Sequence, residues 1–166
     1  MPPSPFRFCP CCAKVLEWRE VGGASRQVCP DPGCGHVFWG NPVPVVAALV
    51  EWQGKMVLAR NRAWAEGSFG LITGFLERDE SPAAGACREV QEELGLVAKN
   101  PQLIGTYDFV AKNEVILAFH VRAEGIMQLN EELAEIRLIA PERLKSWNYG
   151  TGLAVADWLD RYGPKA

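Results

Sequence analysis

Three glutamates spaced for one face of a helix are the residues with the clearest capacity for chemistry. Glu89, Glu92 and Glu93 stand at positions i, i+3 and i+4, so a helix presents all three carboxylates on one side. Like charges at this spacing repel each other unless a cation lies between them. Hard oxygen ligands suit Mg²⁺ or Mn²⁺, which complete their shells with water and substrate phosphates. A solvated acidic helix surface is the alternative interpretation of the glutamates alone.

The residues around these glutamates favour the metal site. Residues 74–96 contain six acidic side chains and two arginines, a local charge of -4 in a chain whose formal net charge is -3. The segment matches the pattern G-x5-E-x7-R-E-U-x-E-E-x-G-U, where U is a bulky aliphatic residue. The matching positions are Gly74, Glu80, Arg88, Glu89, Val90, Glu92, Glu93, Gly95 and Leu96. This segment resembles the Nudix box, the signature of the Nudix hydrolases.

The resemblance implies a role for each matching residue. Glu89, Glu92 and Glu93 would hold the divalent cations, Mg²⁺ or Mn²⁺, and Gly74 would let a backbone carbonyl approach the metal. Arg88 would pair with Glu80 or Glu89 and fix its orientation, since the planar guanidinium suits a bidentate clamp. We predict Glu93 and Arg88 as catalytic residues.

A further carboxylate could accept the proton of the attacking water. The acidic stretch at residues 130–137 contains Glu132 and Glu135, and it resembles the acidic loop before the last strand of many Nudix domains. Glu93 and Glu135 are therefore both candidate catalytic bases, with Glu132 beside them. A charged surface loop is the alternative interpretation of this stretch.

Four cysteines form a second group of potential ligands. Cys9-x2-Cys12 and Cys29-x4-Cys34 are two close pairs separated by 16 residues, a spacing typical of a tetrahedral zinc ribbon. A four-thiolate site leaves no open position, so this Zn²⁺ would be structural. Cys11 is an extra thiol that could compete as a ligand. Redox sensing and a metal-free ribbon are the alternatives.

The cysteine cluster and the carboxylate segment divide the chain into two predicted domains. Residues 1–40 would form the zinc ribbon and residues 41–166 the Nudix domain. Apolar runs predict strands at 45–50, 55–60, 70–75, 102–107 and 115–121. Start and stop signals predict a helix over 81–94, and i, i+3, i+4, i+7 spacing from Val155 predicts a closing helix. This order indicates an α/β fold with a mixed sheet, and the resemblance implies an α/β/α sandwich.

A ribbon followed by a Nudix box resembles the NADH pyrophosphatase group. The resemblance implies a divalent-cation-dependent pyrophosphohydrolase that cleaves the diphosphate of a dinucleotide such as NADH or FAD, of ADP-ribose or of a nucleotide sugar. That group carries a proline-rich segment after the box, whereas no proline stands between Gln102 and Gly125 here. A housecleaning nucleoside triphosphate pyrophosphohydrolase is the main alternative, and a non-catalytic nucleotide sensor is another.

The partners follow from the same features. Tyr107 and Phe109 lie beyond the box on a predicted strand, where they could bind substrate. The net charge of -3 argues against nucleic-acid binding, and the sequence shows neither a signal peptide nor a membrane span. We therefore expect a cytoplasmic enzyme with a small-molecule nucleotide substrate, and the family resemblance implies a homodimer.

Overall fold

The computed structural model describes residues 6–163 and divides the chain into two compact units, Met1–Asn41 and Pro42–Ala166. The smaller unit is an antiparallel sheet of three strands in the order β1-β2-β3: β1 (Glu17–Val21), β2 (Ala24–Val28) and β3 (Val37–Phe38). Gly22 and Gly23 form the turn between β1 and β2, and both have a positive φ. Glycine adopts this conformation without steric cost, so the tight hairpin is possible here.

The larger unit contains a six-stranded sheet. Its strands are β4 (Val43–Trp52), β5 (Lys55–Asn61), β6 (Ile72–Phe75), β7 (Val97–Phe109), β8 (Glu114–Glu124) and β9 (Leu133–Ile139). The order is β7-β8-β4-β5-β9, and β6 pairs with the first half of β4. The pair β4 and β8 is parallel and the others are antiparallel. The predicted α/β fold with a mixed sheet is therefore confirmed.

Helix α1 (Pro82–Leu94) carries the carboxylate segment and has the predicted ends. The Ser81 hydroxyl accepts a hydrogen bond from the Ala84 amide at 3.2 Å, and Pro82 occupies the first turn. Gly95 ends the helix in the left-handed region at φ 67°, and its amide donates to the Gln91 carbonyl. Both caps satisfy backbone groups that a helix terminus otherwise leaves unpaired. The phase of the helix, and with it the direction of the glutamates, is therefore fixed locally.

Two apolar cores cover the two faces of the large sheet. Side chains of β4 alternate between them: Val46, Ala48 and Val50 pack with α1, whereas Ala47 and Leu49 pack with helix α2 (Gly152–Tyr162). Both faces of β4 are buried, which explains why residues 45–50 read as one continuous apolar run. Helix, sheet and helix form three layers.

Several predicted boundaries differ from the structure. The strand predicted at 70–75 begins at Ile72, and Gly70 forms an isolated bridge with Ala59. The strands predicted at 102–107 and 115–121 extend over Val97–Phe109 and Glu114–Glu124, because their pairing continues through polar residues that no apolar pattern marks. Short 3₁₀ turns occur at Val110–Lys112 and Pro141–Arg143. Among the described helices, none has the length and apolar character that crossing a membrane requires.

Candidate active site

Arg88 connects three carboxylates of the box. Its Nε and Nη2 donate to the two oxygens of Glu80 at 3.1 and 2.9 Å, a bidentate pair. Its Nη1 donates to Glu89 Oε1 at 2.7 Å and to Glu92 Oε2 at 3.0 Å. Nη2 also donates to the Phe75 carbonyl at 3.0 Å. The predicted pairing with Glu80 or Glu89 therefore includes both residues.

Glu80 fixes the loop that precedes α1. Besides its pair with Arg88, Glu80 Oε1 accepts the Glu77 amide at 2.8 Å. Hydrogen bonds from Arg88, and next from that amide, lower the pKa of Glu80. Its side chain lies so close to Gly85 that an added Cβ there would meet Glu80 Oε1 at 2.9 Å. Glu80 is therefore an ionised anchor for Arg88.

Gly74 lies directly beneath the Glu89 carboxylate. It belongs to β6, opposite Val46 of β4. A Cβ added at Gly74 would lie 1.9 Å from Glu89 Oε1 and 2.0 Å from its Cδ, so the carboxylate would have to turn away. Only glycine therefore permits the Glu89 side chain, which is 12% exposed, to occupy this position.

Glu93 is the most buried carboxylate of the site, with 7% of its surface exposed. Burial raises its pKa to about 8, helped by the negative charges of Glu89, Glu132 and Glu92, while the Thr73 backbone amide acts in the opposite direction. Burial also raises the pKa of Glu89, although Arg88 opposes this shift. A buried carboxylate among other carboxylates is stable as an anion only when a cation compensates its charge.

The acidic stretch reaches this cluster through Glu132. The Gln128 amide donates to the Leu94 carbonyl at 2.9 Å and the Asn130 amide to the Glu93 carbonyl at 3.1 Å, so this loop lies along the end of α1. Asn130 Oδ1 accepts the amides of Glu132 and Leu133 at 3.0 and 3.2 Å. This turn holds Glu132 where its charge acts on Glu93.

Glu135 lies elsewhere, and its predicted position in a loop is wrong. It stands inside β9, opposite Arg60 of β5. Its Oε1 accepts from Arg60 Nε at 2.7 Å, and its side chain is 48% exposed. The strand begins at Leu133, two residues before Glu135, because Leu133 is buried in the core beside α1.

The carboxylate cluster, defined as Glu89, Glu92, Glu93 and Glu132, fits a divalent cation in its chemistry. All its ligand atoms are hard oxygens, and Arg88 is the cation that contacts Glu89 and Glu92. The oxygens are not gathered at one point: in the described part of the chain, only the cysteine cluster brings three or more ligand atoms within 4.8 Å of one another. Arg88 holds the Glu92 carboxylate, whose side chain is 54% exposed, to one side.

An aromatic cavity of about 340 Å³ adjoins the carboxylate cluster. Its walls include Trp64, Phe69, Phe109, Trp147 and Tyr149, which supply the aromatic surface, and Thr73, Lys112 and Glu114, which supply polar groups. Thr73 is the structural link, because it lines the cavity while its amide hydrogen-bonds Glu93. Such a cavity suits a flat aromatic ring that carries polar groups.

The two predicted substrate residues have different positions. Phe109 lines the aromatic cavity, and Lys112 Nζ lies 5.6 Å from the centre of its ring. Tyr107 is not among the lining residues; its hydroxyl donates to Asp157 of α2 at 2.8 Å. Burial, and next the Asp157 hydrogen bond, raises the pKa of Tyr107. Sequence reasoning did not identify Phe69, Trp147 and Tyr149, which no motif marks.

In the smaller unit, the sulfur atoms of Cys9, Cys12, Cys29 and Cys34 all lie within 4.8 Å of one another. The nearest pairs are Cys12–Cys29 at 3.4 Å and Cys9–Cys34 at 3.7 Å, too far for disulfides. Cys11 lies outside this cluster, with its sulfur 3.7 Å from His36 Nδ1. Burial opposes ionisation of Cys9, but amide hydrogen bonds from Cys11 and Cys12 outweigh it and lower its pKa to about 6. Four converging thiols of this kind are typical of a structural zinc site.

Comparison with known proteins identifies the family. The NUDIX domain model matches residues 40–158, and the chain therefore belongs to the Nudix family. A solved structure described as a NUDIX hydrolase from Nitrosomonas europaea superposes with a TM-score of 0.73 at 25% identity, over 84% of this chain and 80% of that one. An ADP-ribose pyrophosphatase from Streptococcus suis shares the fold with a TM-score of 0.59 at 20% identity, over 72% and 91% of the two chains.

Among curated proteins, the chain is similar to enzymes named NAD-capped RNA hydrolase NudC. The protein of Stutzerimonas stutzeri is 29% identical over 136 residues, which cover 81% of this chain and 48% of that protein. The protein of Mycobacterium tuberculosis is 28% identical over 132 residues, 77% of this chain and 41% of that protein. The aligned part of the chain thus spans about half the length of the curated relatives or less.

Proposed function

We propose that this chain is a divalent-cation-dependent pyrophosphohydrolase that cleaves the diphosphate of a dinucleotide, with NAD(H)-type dinucleotides as the favoured class. The observation that carries the proposal is the junction at Thr73, where the carboxylate cluster meets the aromatic cavity. A nucleotide with its ring in the cavity has its phosphates directed towards oxygen ligands for Mg²⁺ or Mn²⁺. Membership of the Nudix family and the similarity to proteins named for action on NAD caps support the same reading.

The residues that would hold the cation are Glu89, Glu92 and Glu93, with the backbone at Gly74. When bound, a divalent cation neutralises the diphosphate and lowers the pKa of a bound water. Arg88 contributes by orientation: its bidentate pair with Glu80 leaves Nη1 directed at Glu89 and Glu92. Side chains held in this way lose little freedom when the ligand arrives.

Glu132 is the carboxylate that best fits the general base. It belongs to the cluster around Glu93, and the Asn130 turn fixes its backbone. Its side chain is exposed, so water can reach it and take part in proton transfer. Glu93 remains a second candidate. Glu135 is the weaker one, because Arg60 occupies its carboxylate.

The substrate class follows from the aromatic cavity. Its volume of about 340 Å³ lies at the small end of ligand sites and suits one ring system with part of its ribose. The rest of the substrate then projects beyond the diphosphate. The absence of proline between Gln102 and Gly125 removes the segment that marks NADH pyrophosphatases, so FAD, ADP-ribose and nucleotide sugars belong in the test.

We further assign residues 1–40 as a structural zinc domain with Cys9, Cys12, Cys29 and Cys34 as ligands, and residues 41–166 as the catalytic domain. The convergence of the four sulfur atoms supports the first assignment, and the family match over 40–158 supports the second. Homodimer formation and a cytoplasmic location remain predictions. Sedimentation of the purified protein measures the former.

The test is phosphate-coupled hydrolysis of NADH, FAD, ADP-ribose, nucleotide sugars and nucleoside triphosphates with Mg²⁺ or Mn²⁺. We expect one dinucleotide to give the highest kcat/KM, and Glu93→Gln to lower that value about 1000-fold. Glu77→Gln is the matched control, because it makes the same change at an exposed side chain of the same segment. Highest activity on triphosphates would refute the substrate class. Nucleotide binding without turnover would indicate a sensor.

A further inference from the structure

A second cavity, of about 520 Å³, shares no lining residue with the carboxylate cluster and has a basic wall. We call it the basic groove. Its lining consists of Lys55, Arg137, Leu138, Ile139, Ala140 and Arg143. Half of these residues are cationic and none is acidic, although the chain as a whole carries a formal charge of -3. The groove is therefore positively charged although the chain has a negative net charge.

The three cations line the same groove, and each comes from a different element. Lys55 begins β5, and Arg137 lies on β9 opposite Leu58 of the same strand. Arg143 ends the 3₁₀ turn that follows β9, and its amide donates to the Ala140 carbonyl at 2.8 Å. Each cation thus comes from a regular element or a hydrogen-bonded turn, so the groove does not depend on a loose loop.

The charges of the basic groove are unopposed. Among the described residues, no carboxylate lies within ion-pair distance of Lys55, Arg137 or Arg143, whereas Lys99 and Arg60 each have a carboxylate partner. Cations gathered without counter-charge repel one another, and a bound anion removes this repulsion. The site fits an oxyanion, because guanidinium groups bind phosphate oxygens in pairs and a lysine adds a point charge.

Arg137 connects the basic groove with the aromatic cavity. Its guanidinium carbon lies 3.8 Å from the centre of the Phe69 ring, a cation–π contact that fixes the side chain. Phe69 in turn lines the aromatic cavity. A single stacked pair therefore borders both sites, and a ligand that fills the cavity at Phe69 lies next to the positive charge of the groove.

We propose that the basic groove binds a phosphate monoester of the nucleotide whose ring occupies the aromatic cavity, a phosphate distinct from the scissile diphosphate. The groove would thus favour dinucleotides that carry an additional phosphate. The identity of the cavity's occupant rests on the proposed function. The presence of an anion site does not, since it depends only on the three cations.

The first experiment isolates the anion site. Tripolyphosphate is titrated calorimetrically into the full chain without added divalent cation, a condition in which the carboxylate cluster repels anions. We expect Lys55→Gln combined with Arg143→Gln to weaken binding about tenfold or more, since each lost contact is a charge-assisted hydrogen bond. Both side chains are exposed, and Arg137 is left in place to keep its stack on Phe69.

The matched control is Lys99→Gln combined with Arg122→Gln, which removes the same charge from β7 and β8, across the sheet from β9. We expect the control to bind tripolyphosphate within about twofold of the wild type. Equal weakening in both double variants would show an effect of net charge alone and would overturn the site. Undiminished binding in the groove variant would overturn it as well.

The second experiment asks whether the anion belongs to the nucleotide. NADPH carries one phosphate monoester more than NADH, so the wild type should have a KM for NADPH about tenfold below that for NADH. The groove variant should lose this difference while its kcat for NADH stays unchanged. Equal KM values in the wild type would refute the link to the cavity. If neither compound is hydrolysed, the proposed function fails, and the tripolyphosphate result still decides whether the anion site exists.

Discussion

The two metal-ligand groups of this chain differ in how far they are assembled. The sulfur atoms of Cys9, Cys12, Cys29 and Cys34 converge within 4.8 Å, whereas the carboxylates of Glu89 and Glu92 are turned towards Arg88. Despite burial, hydrogen bonds lower the pKa of Cys9 and stabilise its charge within the cysteine group, whereas the carboxylates repel one another without a cation. The difference suits their proposed roles: a structural site gains from permanent convergence, and a catalytic site must open for cation and substrate.

The largest effect should come from the assembled group. Replacing Cys12 by serine removes one thiolate of four, and structural zinc sites of this kind contribute about 10 kcal/mol to folding. We expect Cys12→Ser to lose zinc and to expose residues 6–41 to proteolysis. Metal analysis and limited proteolysis measure these two changes. Cys11→Ser is the control, because Cys11 lies outside the cluster; loss of zinc from that variant would contradict the assigned ligand set.

The next effect separates the two candidate bases of the acidic stretch. Glu132 acts on Glu93 through its charge, whereas Glu135 pairs with Arg60. We expect Glu132→Gln to lower kcat about 100- to 1000-fold, the range typical of a lost general base. Glu135→Gln should change kcat less than about threefold, since it removes one exposed ion pair. Steady-state kinetics at saturating Mg²⁺ decide, and the reverse order would reassign the base.

A substitution of Arg88 tests whether this residue positions Glu89 and Glu92 for binding a metal ion. A lysine cannot form the bidentate pair with Glu80 and also reach Glu89 and Glu92. We expect Arg88→Lys to lower kcat/KM about 100-fold and to weaken Mn²⁺ binding about tenfold, because orienting groups contribute at this scale. Electron paramagnetic resonance measures free Mn²⁺ during the titration.

Arg78→Lys is the control for that experiment. It changes an exposed residue of the same segment in the same way, and its activity should stay within about twofold of the wild type. Unchanged Mn²⁺ affinity in Arg88→Lys would show that Arg88 stabilises the loop without positioning the ligands.

Local sequence patterns mark both groups, the glutamates of α1 and the four cysteines. Ser81 and Gly95 mark the ends of α1, and a known phase fixes the direction of Glu89 and Glu93. The spacing of the two cysteine pairs likewise implies that four thiols meet at one point. Local patterns suffice because each group lies on one short segment or on two close pairs.

The aromatic cavity and the basic groove could not be predicted in this way. Trp64, Phe109 and Trp147 come from segments far apart in the chain and meet only through the strand order and the return of α2. Glu132 and Glu135 are three residues apart, and the start of β9 at Leu133 separates their roles. Charge pattern alone gives no boundary between loop and strand, so the sequence predicted both in one loop.

The last prediction concerns the charge repulsion within the carboxylate cluster when no divalent cation is present. Burial raises the pKa of Glu93 from 4.5 to about 8, so the folded state keeps a proton that the unfolded state loses between these values. A raised folded pKa gives stability that is complete below pH 4.5 and lost as the pH rises through 8.

The metal-free wild type should therefore lose stability across this interval relative to Glu93→Gln, which stays uncharged. We expect a loss of about 3 kcal/mol between pH 5 and pH 8, or roughly 10 °C in Tm. Thermal unfolding of both proteins at pH 5 and pH 8 without divalent cation measures it, and Mg²⁺ should raise the Tm of the wild type alone because only its carboxylate set is complete. Parallel Tm curves would mean that the neighbouring carboxylates do not destabilise Glu93, and the contrast between an assembled and an unassembled site would then disappear.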